Sequence, residues 1–590
     1  KAEIDEKVDF IGATLSAYSS GIYGNSLTKH KDELLSVMSE VLLNPTFPLK
    51  ELDKLKKQKL SALQQEKDDP GAIAGNVAGV LDFGKDHPFG EIVSEKTVKN
   101  ITRDDCVNFY KTYFKPNISY LVVTGDMTLS ELKPLANKYF GSWKQGEVPK
   151  ANLPKVVFPE KSMVAFVNKP AAVQSNIKIT YPLDIKPDSP DRVKTRVANA
   201  LLGGFFGSRL NKNLREDKAY TYGARSSIGV SRYITAFNAG ASVRNEVTDS
   251  AIVQFEYEMN RMTTEKPKAD ELKRVKSVLA GQFARSMENE ETVARFALNV
   301  MMYHLPKDYY ATYLKRLSAV TEDDVLAMSK KYIKPDKAYY IVVGNQDDVV
   351  AGLEKLGMPG GVQYFDNQGN KIDPPKRSIT GMTAQQVIDA YLKAIGGKDA
   401  VKKIKNAKIV AEGNIQGQPM MMTFVNTTDD QAKMELSVNG MLMQKIIYNH
   451  NAGLQEAMGQ KQPLSGGDLD GMKENGVPVK EVMFDVLGVK TVLKGVEILD
   501  GVEAYKIIAT NPSGKETSLY YDANTGLKLQ EMTTSHGMTI TSKFGDYKEV
   551  EGVKFPYKLT QLGAAAVPLE FKVKEVKTNI ALKADDFKLD

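Results

Sequence analysis

Two segments of this 590-residue chain repeat one another without a gap. Residues 101–125 are ITRDDCVNFYKTYFKPNISYLVVTG, and residues 320–344 are VTEDDVLAMSKKYIKPDKAYYIVVG. Each copy opens with Thr-x-x-Asp, which is typical of a capping box at the start of a helix. Each helix is predicted to end before Lys-Pro, and a β-branched strand that ends at glycine follows. The repeat therefore predicts two α/β domains of the same fold in tandem.

The repeat and the local composition divide the chain into five segments. The predicted fold class is α+β, with two homologous α/β domains in tandem and then a curved antiparallel β half-barrel domain with a helix. The half-barrel is expected because, after one helix, apolar residues alternate with period two. The chain opens in the middle of a helix, so the first domain is expected to lack its N-terminal part. The segments are the first domain at 1–145, a linker at 146–160, the second domain at 161–358, a glycine- and proline-rich linker at 359–380, and the third domain at 381–590.

Local patterns in the second domain give further predictions. Residues 163–170 and 174–182 are predicted to form a strand pair. A helix is predicted over 189–202, with serine as its N-cap and proline in its first turn. The Met-Met pair at 301–302 is predicted to lie in the core.

Composition excludes several classes of function. The net charge is only +6, and no Lys/Arg block is long enough to follow a phosphate backbone, so no nucleic-acid partner is expected. The densest basic run, at 54–59, alternates with apolar residues and indicates a solvated helix face. The single cysteine, Cys106, excludes an internal disulfide and occupies the repeat position of Val325, which predicts a core residue. The five histidines form no HxxxH or HExxH pair.

The segment 201–227 carries the densest functional signal: LLGGFFGSRLNKNLREDKAYTYGARSS. A glycine-rich turn leads into a short helix that is predicted to end at Arg215, and Tyr222 follows at the start of a predicted strand. An arginine supplies several N–H donors, and a tyrosine hydroxyl can donate to a developing oxyanion. The two side chains could therefore hold a substrate carbonyl.

Two other interpretations of this segment stay open. Arg215 could pair with Glu216 or Asp217 at the surface, while Tyr222 is a half-buried strand residue. The glycine turn could cradle a phosphate, although it lacks the Lys-Ser/Thr of a P-loop and follows no hydrophobic strand.

The same segment closely resembles the second half of insulinase/pitrilysin-family metallopeptidases, the inverted zincins. The resemblance rests on the glycine-rich turn, the pattern S-R-L-x-x-x-L-R-E and a tyrosine seven residues after the arginine. Residues 1–145 resemble the first half of that family through IDEKVDFIGATLSAY, LNPTFP, DDPGAIA, HPFGEIV and the first copy of the repeat. The tandem repeat is what the architecture of this family implies.

The resemblance also bears on zinc. Active members bind zinc through HxxEH and a glutamate on a later helix. By the resemblance, HxxEH would fall before Lys1, and the later glutamate, counted back from Asp69-Pro70, would fall at Ala62. Alanine cannot ligate zinc, and Glu66, about one helical turn further on, is only a weak substitute. The resemblance therefore implies that this chain has no metal site and no cofactor of its own.

In heterodimeric bacterial relatives, one subunit carries the zinc motif and the other the Arg/Tyr pair, and the two close around an unfolded peptide. Carried over to this sequence, Arg215 and Tyr222 become the catalytic residues, and they bind substrate together with Gly203 and Gly204. The expected partner is a zinc-bearing subunit of the same family in a heterodimer, with zinc on that partner. The expected activity is that of a metalloendopeptidase that works only as the heterodimer.

The third domain more weakly resembles the lipoprotein-carrier fold (LolA/LolB-like), an unclosed β-barrel with a helix plug. The strings that carry the resemblance are YYDANTGLKLQEM, FGDYKEVEGVKFPYK and ALKADDFKLD. The resemblance implies a periplasmic or outer-membrane-associated location in a Gram-negative bacterium and lipid or lipoprotein as a ligand. Six methionines suit a pliable apolar cavity or fill an ordinary core: Met420, Met421, Met422, Met434, Met441 and Met443.

Two alternative functions remain at this stage. The chain could be a catalytically inactive scaffold whose third domain binds lipid or lipoprotein. It could also be a complete protease whose HxxEH precedes Lys1, a hypothesis that Ala62 disfavours.

Overall fold

The computed structural model describes residues 2–374, 379, 381–415, 417–457, 459–535, 538–563 and 568–589. Residues 375–378 and 380 of the predicted linker, and His536, lie outside this set. None of the helices in the described ranges combines the length and the apolar character that crossing a bilayer requires.

The N-terminal part is mainly helical. Asp69 caps its fourth helix by accepting a hydrogen bond from the backbone N–H of Ala72, and Pro70 occupies the first turn, where its missing N–H has no consequence. The two strands of this part pair as an antiparallel hairpin. The elements are α1 (Ala2–Phe10), β1 (Thr14–Tyr18), β2 (Gly21–Asn25), α2 (Lys31–Leu43), α3 (Leu49–Glu66), α4 (Pro70–Phe83), α5 (Glu95–Asn100), α6 (Arg103–Tyr113) and α7 (Leu129–Phe140).

The second part is a mixed α/β layer structure. Residues 143–159, which precede it, contain neither helix nor strand. The elements are β3 (Met163–Asn168), β4 (Gln174–Leu183), α8 (Arg192–Asn199), α9 (Arg209–Asn211), β5 (Arg225–Ile228), β6 (Thr235–Arg244), α10 (Thr248–Thr264), α11 (Ala269–Ser286), α12 (Glu290–Met302), α13 (Tyr313–Ser318), α14 (Glu322–Tyr332), β7 (Tyr339–Gly344), α15 (Gln346–Lys355), β8 (Val362–Phe365) and β9 (Lys371–Ile372).

The two copies of the repeat agree in their helices and differ in their strands. Thr102 and Thr321 open α6 and α14 with capping boxes, as the sequence predicts. The second copy then forms β7, but residues 119–125 of the first copy form no strand, so that prediction is wrong. β7 is stabilised by a neighbouring strand on each side, and the described chain places no such neighbours beside 119–125.

The seven strands of the second part form one sheet in the order β5-β6-β4-β7-β3-β8-β9. The predicted pairing of β3 with β4 is wrong, because β7 lies between them, parallel to β3 and antiparallel to β4. β8 lies within the segment that composition marks as a linker, yet it pairs in parallel with β3.

Other predictions for this part have mixed outcomes. The helix predicted over 189–202 begins at Arg192 and passes into a π-helical turn at Ala200–Gly204. Met301 is 59% exposed, so the prediction that it lies in the core is wrong. Cys106 is only partly buried.

Both faces of this sheet are covered, and the cover of one face comes from the N-terminal part. Helices α8, α10, α11, α14 and α15 contribute to the large apolar cluster on one face. On the other face, α4 packs against β4 and β7. Its apolar contacts there include Ile73 and Val77 from the helix and Ala165, Val167 and Ile341 from the sheet.

The third part is one antiparallel sheet of thirteen strands with short helices, as the period-two alternation predicts. Its elements are α16 (Ala384–Ala394), α17 (Lys398–Lys403), β10 (Asn406–Ile415), β11 (Gln418–Thr427), β12 (Gln431–Val438), β13 (Met441–Asn449), β14 (Ala452–Ala457), β15 (Gln460–Pro463), α18 (Gly466–Asn475), α19 (Phe484–Leu487), β16 (Lys490–Leu499), β17 (Val502–Thr510), β18 (Glu516–Asp522), β19 (Lys528–Ser535), β20 (Met538–Val550), β21 (Val553–Leu562) and β22 (Leu569–Thr578).

These strands follow one another as two meanders that join at β10 and β22. The order runs from β15 back to β10, then from β22 back to β16, so β15 and β16 are the free edges. Helix α16 buries Val387, Ile388 and Tyr391 against strands of the second meander, among them β17 and β18. The amphipathic helix α16 therefore covers one half of the sheet.

A buried ion network lies beneath this helix. Lys528 on β19 pairs with Glu481 at 2.9 Å, and Lys480 pairs with Glu531 at 3.0 Å. The hydroxyl of Tyr521 also donates to Glu481 at 3.1 Å. The two lysines hold the pKa of Glu531 down at about 2, although burial alone would raise it. The charged groups that are buried in this half of the third part are therefore paired with one another.

Polar contacts join the third part to the second. Lys506 on β17 forms a buried ion pair with Glu497 on β16 at 2.9 Å, within the third part. Lys506 also pairs with the exposed carboxylate of Asp347, in the first turn of α15, and the side-chain amide of Asn168, at the end of β3, donates to Glu497 at 3.1 Å. The buried pair of the third part is thus linked to two side chains of the second part.

Asp82 on α4 is buried at the contact between the N-terminal part and the sheet. The hydroxyl of Thr180 lies within hydrogen-bond distance of both the Asp82 carboxyl and the carbonyl oxygen of Phe237. A hydroxyl has one hydrogen, so both contacts are satisfied only if Asp82 is protonated and donates to Thr180. Burial raises the pKa of Asp82 to about 7, although the charge of Lys178 acts to lower it.

This geometry predicts how stability depends on pH. Because the pKa of Asp82 is raised in the folded state, its protonation contributes to the free energy of unfolding. This contribution is complete below the unfolded-state pKa of about 4 and is lost as pH rises through about 7. Asp82→Asn keeps a neutral donor at this position, so we expect it to be more stable than wild type by a few kcal/mol at pH 8 and similar to wild type at pH 4. Urea unfolding at both pH values measures the difference, and Asp86→Asn, which alters an exposed carboxylate nearby, is the matched control.

Candidate functional site

The segment with the glycine turn leads from α8 to the edge strand β5. It passes through π-helical turns at Ala200–Gly204 and Lys212–Asp217, so the helix ends two residues beyond its predicted end at Arg215. π-helical turns are uncommon and frequently occur at functional sites. β5 begins at Arg225, which leaves Tyr222 in the preceding loop and not in the strand.

The glycine at 203 is required by close packing. A Cβ at this position would lie 2.4 Å from the backbone nitrogen of Ser226 on β5, closer than real contacts allow. Gly204 is exposed, and a Cβ there would lie 3.0 Å from the amide nitrogen of Asn199. Contact with β5 thus accounts for glycine at 203, while the backbone at 204 is open to a ligand.

Two asparagines tie the turn to β5. Asn199 donates to the carbonyl oxygen of Ser226 at 3.2 Å and accepts from its hydroxyl at 2.9 Å. Asn211 donates to the carbonyl oxygen of Phe206 at 2.8 Å and accepts from the backbone N–H of Ala224 at 3.3 Å. The sequence analysis missed both residues, although asparagine is unfavourable inside a helix unless its side chain makes such bonds.

A buried arginine anchors the helical segment that carries Arg215. Arg209 forms two parallel hydrogen bonds with Glu271 on α11, Nε to Oε1 at 3.1 Å and Nη2 to Oε2 at 2.8 Å. Burial acts to raise the pKa of Glu271, but the bonds from Arg209 and from the backbone N–H of Lys268 outweigh it and lower that pKa. Bidentate pairs of this kind are strong and directional. The sequence analysis missed Arg209, because its partner is on a distant helix.

Arg215 and Tyr222 are both presented at the surface. Tyr222 is 91% exposed. Arg215 is partly buried, and its guanidinium lies 4.5 Å from the ring centre of the exposed Phe206. Among the described residues, Arg215 has no ion pair with Glu216 or Asp217, so the surface-pair interpretation is not the observed arrangement.

Hydrogen bonds to the backbone hold the surrounding loop in place. The N–H of Tyr220 donates to the carbonyl oxygen of Leu214 at 2.8 Å, and Arg244 donates to the carbonyl oxygen of Ala219 at 2.9 Å. Thr221 accepts a hydrogen bond from the N–H of Gly223 at 3.1 Å. These bonds hold the backbone on both sides of Tyr222, so the exposed side chain extends from an ordered backbone.

The position at which the resemblance places a zinc-ligating glutamate has no metal-binding side chain. Ala62 lies on α3, and the carboxylate of Glu66 pairs with Lys59 at 3.0 Å. The described part of the chain contains no group of three or more His, Cys, Asp or Glu residues placed to hold a metal ion. The residues at this position therefore do not fit zinc.

A large cleft lies elsewhere, where the three parts of the chain meet. It has a volume of about 1180 Å³ and is lined by residues of all three parts, including Lys67, Lys169 and Lys543. Neither Arg215 nor Tyr222 lines it. Arg215 and Tyr222 therefore lie outside this cleft.

Part of the chain has the fold of a peptidase M16 domain. A crystal structure of a peptidase M16 inactive domain from Pseudomonas fluorescens superposes with a TM-score of 0.52 at 22% identity, over 58% of this chain and 84% of that one. Residues 100–279 match the family model described as the peptidase M16 inactive domain. This segment, which contains Gly203, Gly204, Arg215 and Tyr222, is therefore homologous to M16 inactive domains.

Two curated relatives agree with this assignment. An uncharacterized zinc protease of Rickettsia felis is 24% identical over 293 residues, which is 48% of this chain and 69% of the relative. A protein of Helicobacter pylori named as the non-peptidase homolog YmxG is 22% identical over 329 residues, which is 54% of this chain and 74% of the relative. The relatives thus include both proteins named as proteases and a protein named as a non-peptidase.

The packing of Gly203 predicts a clear difference between two glycines of this segment. We expect Gly203→Ala to destabilise the chain by about 1–3 kcal/mol, because the new methyl group meets the backbone of β5. Gly223→Ala is the matched control, since a Cβ there would lie 3.7 Å from Asn211, an ordinary contact. Urea unfolding of the two variants measures the difference, and equal stability would contradict the role of close packing.

Proposed function

We propose that this chain is the non-zinc subunit of an M16-type heterodimer, in which Arg215 and Tyr222 complete the active site of a zinc-bearing partner. The observation that carries the proposal is that Tyr222 is exposed on a hydrogen-bonded loop, while Arg215, in the preceding π-helical turn, is free of ion pairs within the described chain. The similarity to an M16 inactive domain and to a relative named as a non-peptidase supports it.

In this proposal the metal chemistry belongs entirely to the partner, and this chain binds and orients the substrate. Arg215 donates to a substrate carbonyl, while its stacking on Phe206 limits the rotamers of its side chain. The hydroxyl of Tyr222 donates to the oxyanion that develops when a peptide carbonyl is attacked. Gly204 leaves room for the substrate backbone to approach the turn.

An unfolded peptide is the substrate class that suits this surface. β5 is an edge strand of the seven-stranded sheet, so one side of its backbone has no strand beside it in the described chain. An extended peptide can pair with such an edge and place a carbonyl near the preceding loop. A folded protein offers few segments of this kind.

The double substitution Arg215→Ala/Tyr222→Phe tests the proposal. We expect peptidase activity of the complex with the zinc-bearing subunit to fall by roughly 100-fold or more, because oxyanion donors contribute about that much to rate. Assembly is expected to be unchanged, since Tyr222 is exposed and Arg215 stacks only on Phe206. Peptide hydrolysis by the co-purified complex and size-exclusion chromatography provide the two measurements.

An exposed arginine and tyrosine outside the motif provide the control. Arg232 lies 5.6 Å from the ring centre of Tyr233 in the neighbouring loop, outside the motif. Arg232→Ala/Tyr233→Phe makes the same chemical change and is expected to leave activity intact. Full activity of the Arg215/Tyr222 variant would refute the proposal, and equal losses in both variants would assign the effect to general surface damage.

A second candidate function rests on the apolar face of β11 and β12. Cross-strand pairs on this face are Met420 with Val438, Met422 with Leu436, and Phe424 with Met434. Met420 and Met422 are buried, whereas their neighbours Phe424, Leu436 and Val438 are only partly buried. Helix α16 packs on the other half of the sheet, so this face retains accessible apolar surface.

We therefore propose, as the alternative, an inactive peptidase-fold scaffold in the cell envelope whose third part binds lipid or lipoprotein. The six methionines do not line one cavity, because Met421 and Met441 are exposed while Met420 and Met422 are buried. The ligand would instead lie on the face formed by the even-numbered residues of β11.

Two substitutions on one strand test this alternative. We expect Phe424→Ser to reduce the lipid that co-purifies with the full chain several-fold, since it removes an aromatic side chain from the binding face. Met421→Ser lies on the opposite face, is exposed, and is expected to retain lipid. Native mass spectrometry measures the bound lipid. If neither the wild-type chain nor the Met421→Ser variant carries lipid, this alternative is excluded.

A further inference from the structure

Three arginines gather around two buried tyrosines where α8 meets α13. Arg192 and Arg196 lie one helical turn apart on α8, and Arg316 lies on α13. The guanidinium carbons of Arg316 and Arg192 lie 4.1 Å and 5.6 Å from the ring centre of Tyr309. That of Arg196 lies 5.6 Å from the ring centre of Tyr313.

The Tyr313 hydroxyl is an unsatisfied polar group in the middle of this cluster. Tyr313 is 5% exposed, and its hydroxyl oxygen has no hydrogen-bond partner in the described chain. Burial raises the pKa of this hydroxyl, and the positive charges of Arg196, Arg316 and Arg192 oppose that rise. Buried hydroxyls without partners are uncommon and call for an explanation.

The carboxylates of the neighbouring helices are already used by lysines. Asp191 accepts from Lys331 at 2.7 Å and from the hydroxyl of Tyr332 at 2.7 Å. Asp324 pairs with Lys194 at 2.7 Å. Within the described residues, none of the three arginines has an ion-pair partner. Their positive charge is therefore left uncompensated by the chain.

Most of the arginine donors are also free. Each guanidinium carries five N–H groups. Arg192 donates to the carbonyl oxygen of Pro187 at 3.1 Å, and Arg316 donates to the carbonyl oxygen of Tyr309. No hydrogen bond of Arg196 to another described residue is present, and its side chain is exposed. The cluster thus combines three cations, many open donors and one buried hydroxyl.

We propose that this cluster is a binding site for a phosphate group, built from Arg192, Arg196, Arg316 and the Tyr313 hydroxyl. A tetrahedral phosphate offers several acceptor oxygens and up to two negative charges, which suits three planar guanidinium groups packed on two neighbouring tyrosine rings, one of which carries a hydroxyl without a partner. A carboxylate, with two oxygens and one charge, would leave part of the cluster unsatisfied. The phosphate belongs either to a small soluble ester or to a lipid headgroup.

This site is independent of the peptidase proposal. It does not include Arg215 or Tyr222, and none of its residues takes part in the hydrogen bonds that fix the loop around Tyr222. Loss of phosphate binding would leave the peptidase proposal untouched.

Calorimetric titration of the full chain with inorganic phosphate, at constant ionic strength set by chloride, tests the site. We expect Arg196→Gln to weaken binding about tenfold, because it removes one charge and its donors from an exposed position. Lys315→Gln removes an exposed charge from α13 outside the cluster and is expected to bind as wild type does. Absence of binding to wild type, or equal affinity for wild type and Arg196→Gln, overturns the proposal.

The thermal stability of Tyr313→Phe, measured with and without phosphate, provides a second test. Without phosphate, this variant is expected to melt at the same or a higher temperature than wild type, because it removes a buried hydroxyl that has no partner. With phosphate, wild type is expected to gain thermal stability and the variant to gain much less. Equal gains in both proteins would show that the hydroxyl does not contact the ligand and would overturn its assignment.

Co-sedimentation distinguishes the two sources of phosphate. Vesicles of phosphatidylglycerol, compared with vesicles of phosphatidylcholine, test for an anionic headgroup that is accessible at a membrane surface. Sedimentation that depends on Arg196 supports a lipid source, whereas binding of inorganic phosphate without sedimentation supports a soluble ester.

Discussion

The packing of α4 on the seven-stranded sheet is the contact on which the rest of the structure depends. The central strands of this sheet are buried on both faces, so each face must be covered by a helical layer. The second part supplies only one of the two layers, and α4 from the N-terminal part supplies apolar cover on the other. The two parts are therefore one packed body. Asp82, whose carboxyl group is buried in this contact, links the stability of the packed body to protonation through its raised pKa.

The segment that carries Arg215 and Tyr222 is held in place by contacts with the second part's sheet and helices. The sheet positions β5, and β5 positions the glycine turn through the close approach of Gly203 and the bonds between Asn199 and Ser226. The pair formed by Arg209 and Glu271 anchors the same segment to α11. Exposed side chains are therefore held by buried contacts, which limits the entropy that they would lose on binding.

Local signals in the sequence predicted local structure well. The capping boxes at Thr102 and Thr321 depend on residues three positions apart, so both helix starts are confirmed. The predictions for β3 with β4 and for 119–125 are wrong, because strand pairing depends on which distant strand intervenes or is present.

The candidate site was also predicted only in part. Arg215 and Tyr222 stood out through their motif, but Arg209 did not, because its role comes from Glu271 on a helix that follows much later in the chain. The exposure of Tyr222 could not be derived from pattern either, since it follows from where β5 begins. Residue types and short spacings are visible in a sequence, whereas tertiary partners are not.

The order of strands in the third part has a consequence for the way in which it forms during synthesis. Each meander consists of hairpins between consecutive strands, so most of its pairing is local and can form as the chain leaves the ribosome. The seam between β10 and β22 joins residues such as Ala407 and Thr578, which are among the most distant pairs in the sheet. Until the last strand emerges, β10 presents an unpaired edge that could join another chain. β22 thus acts as a closing element, and its loss would leave the sheet open at its centre.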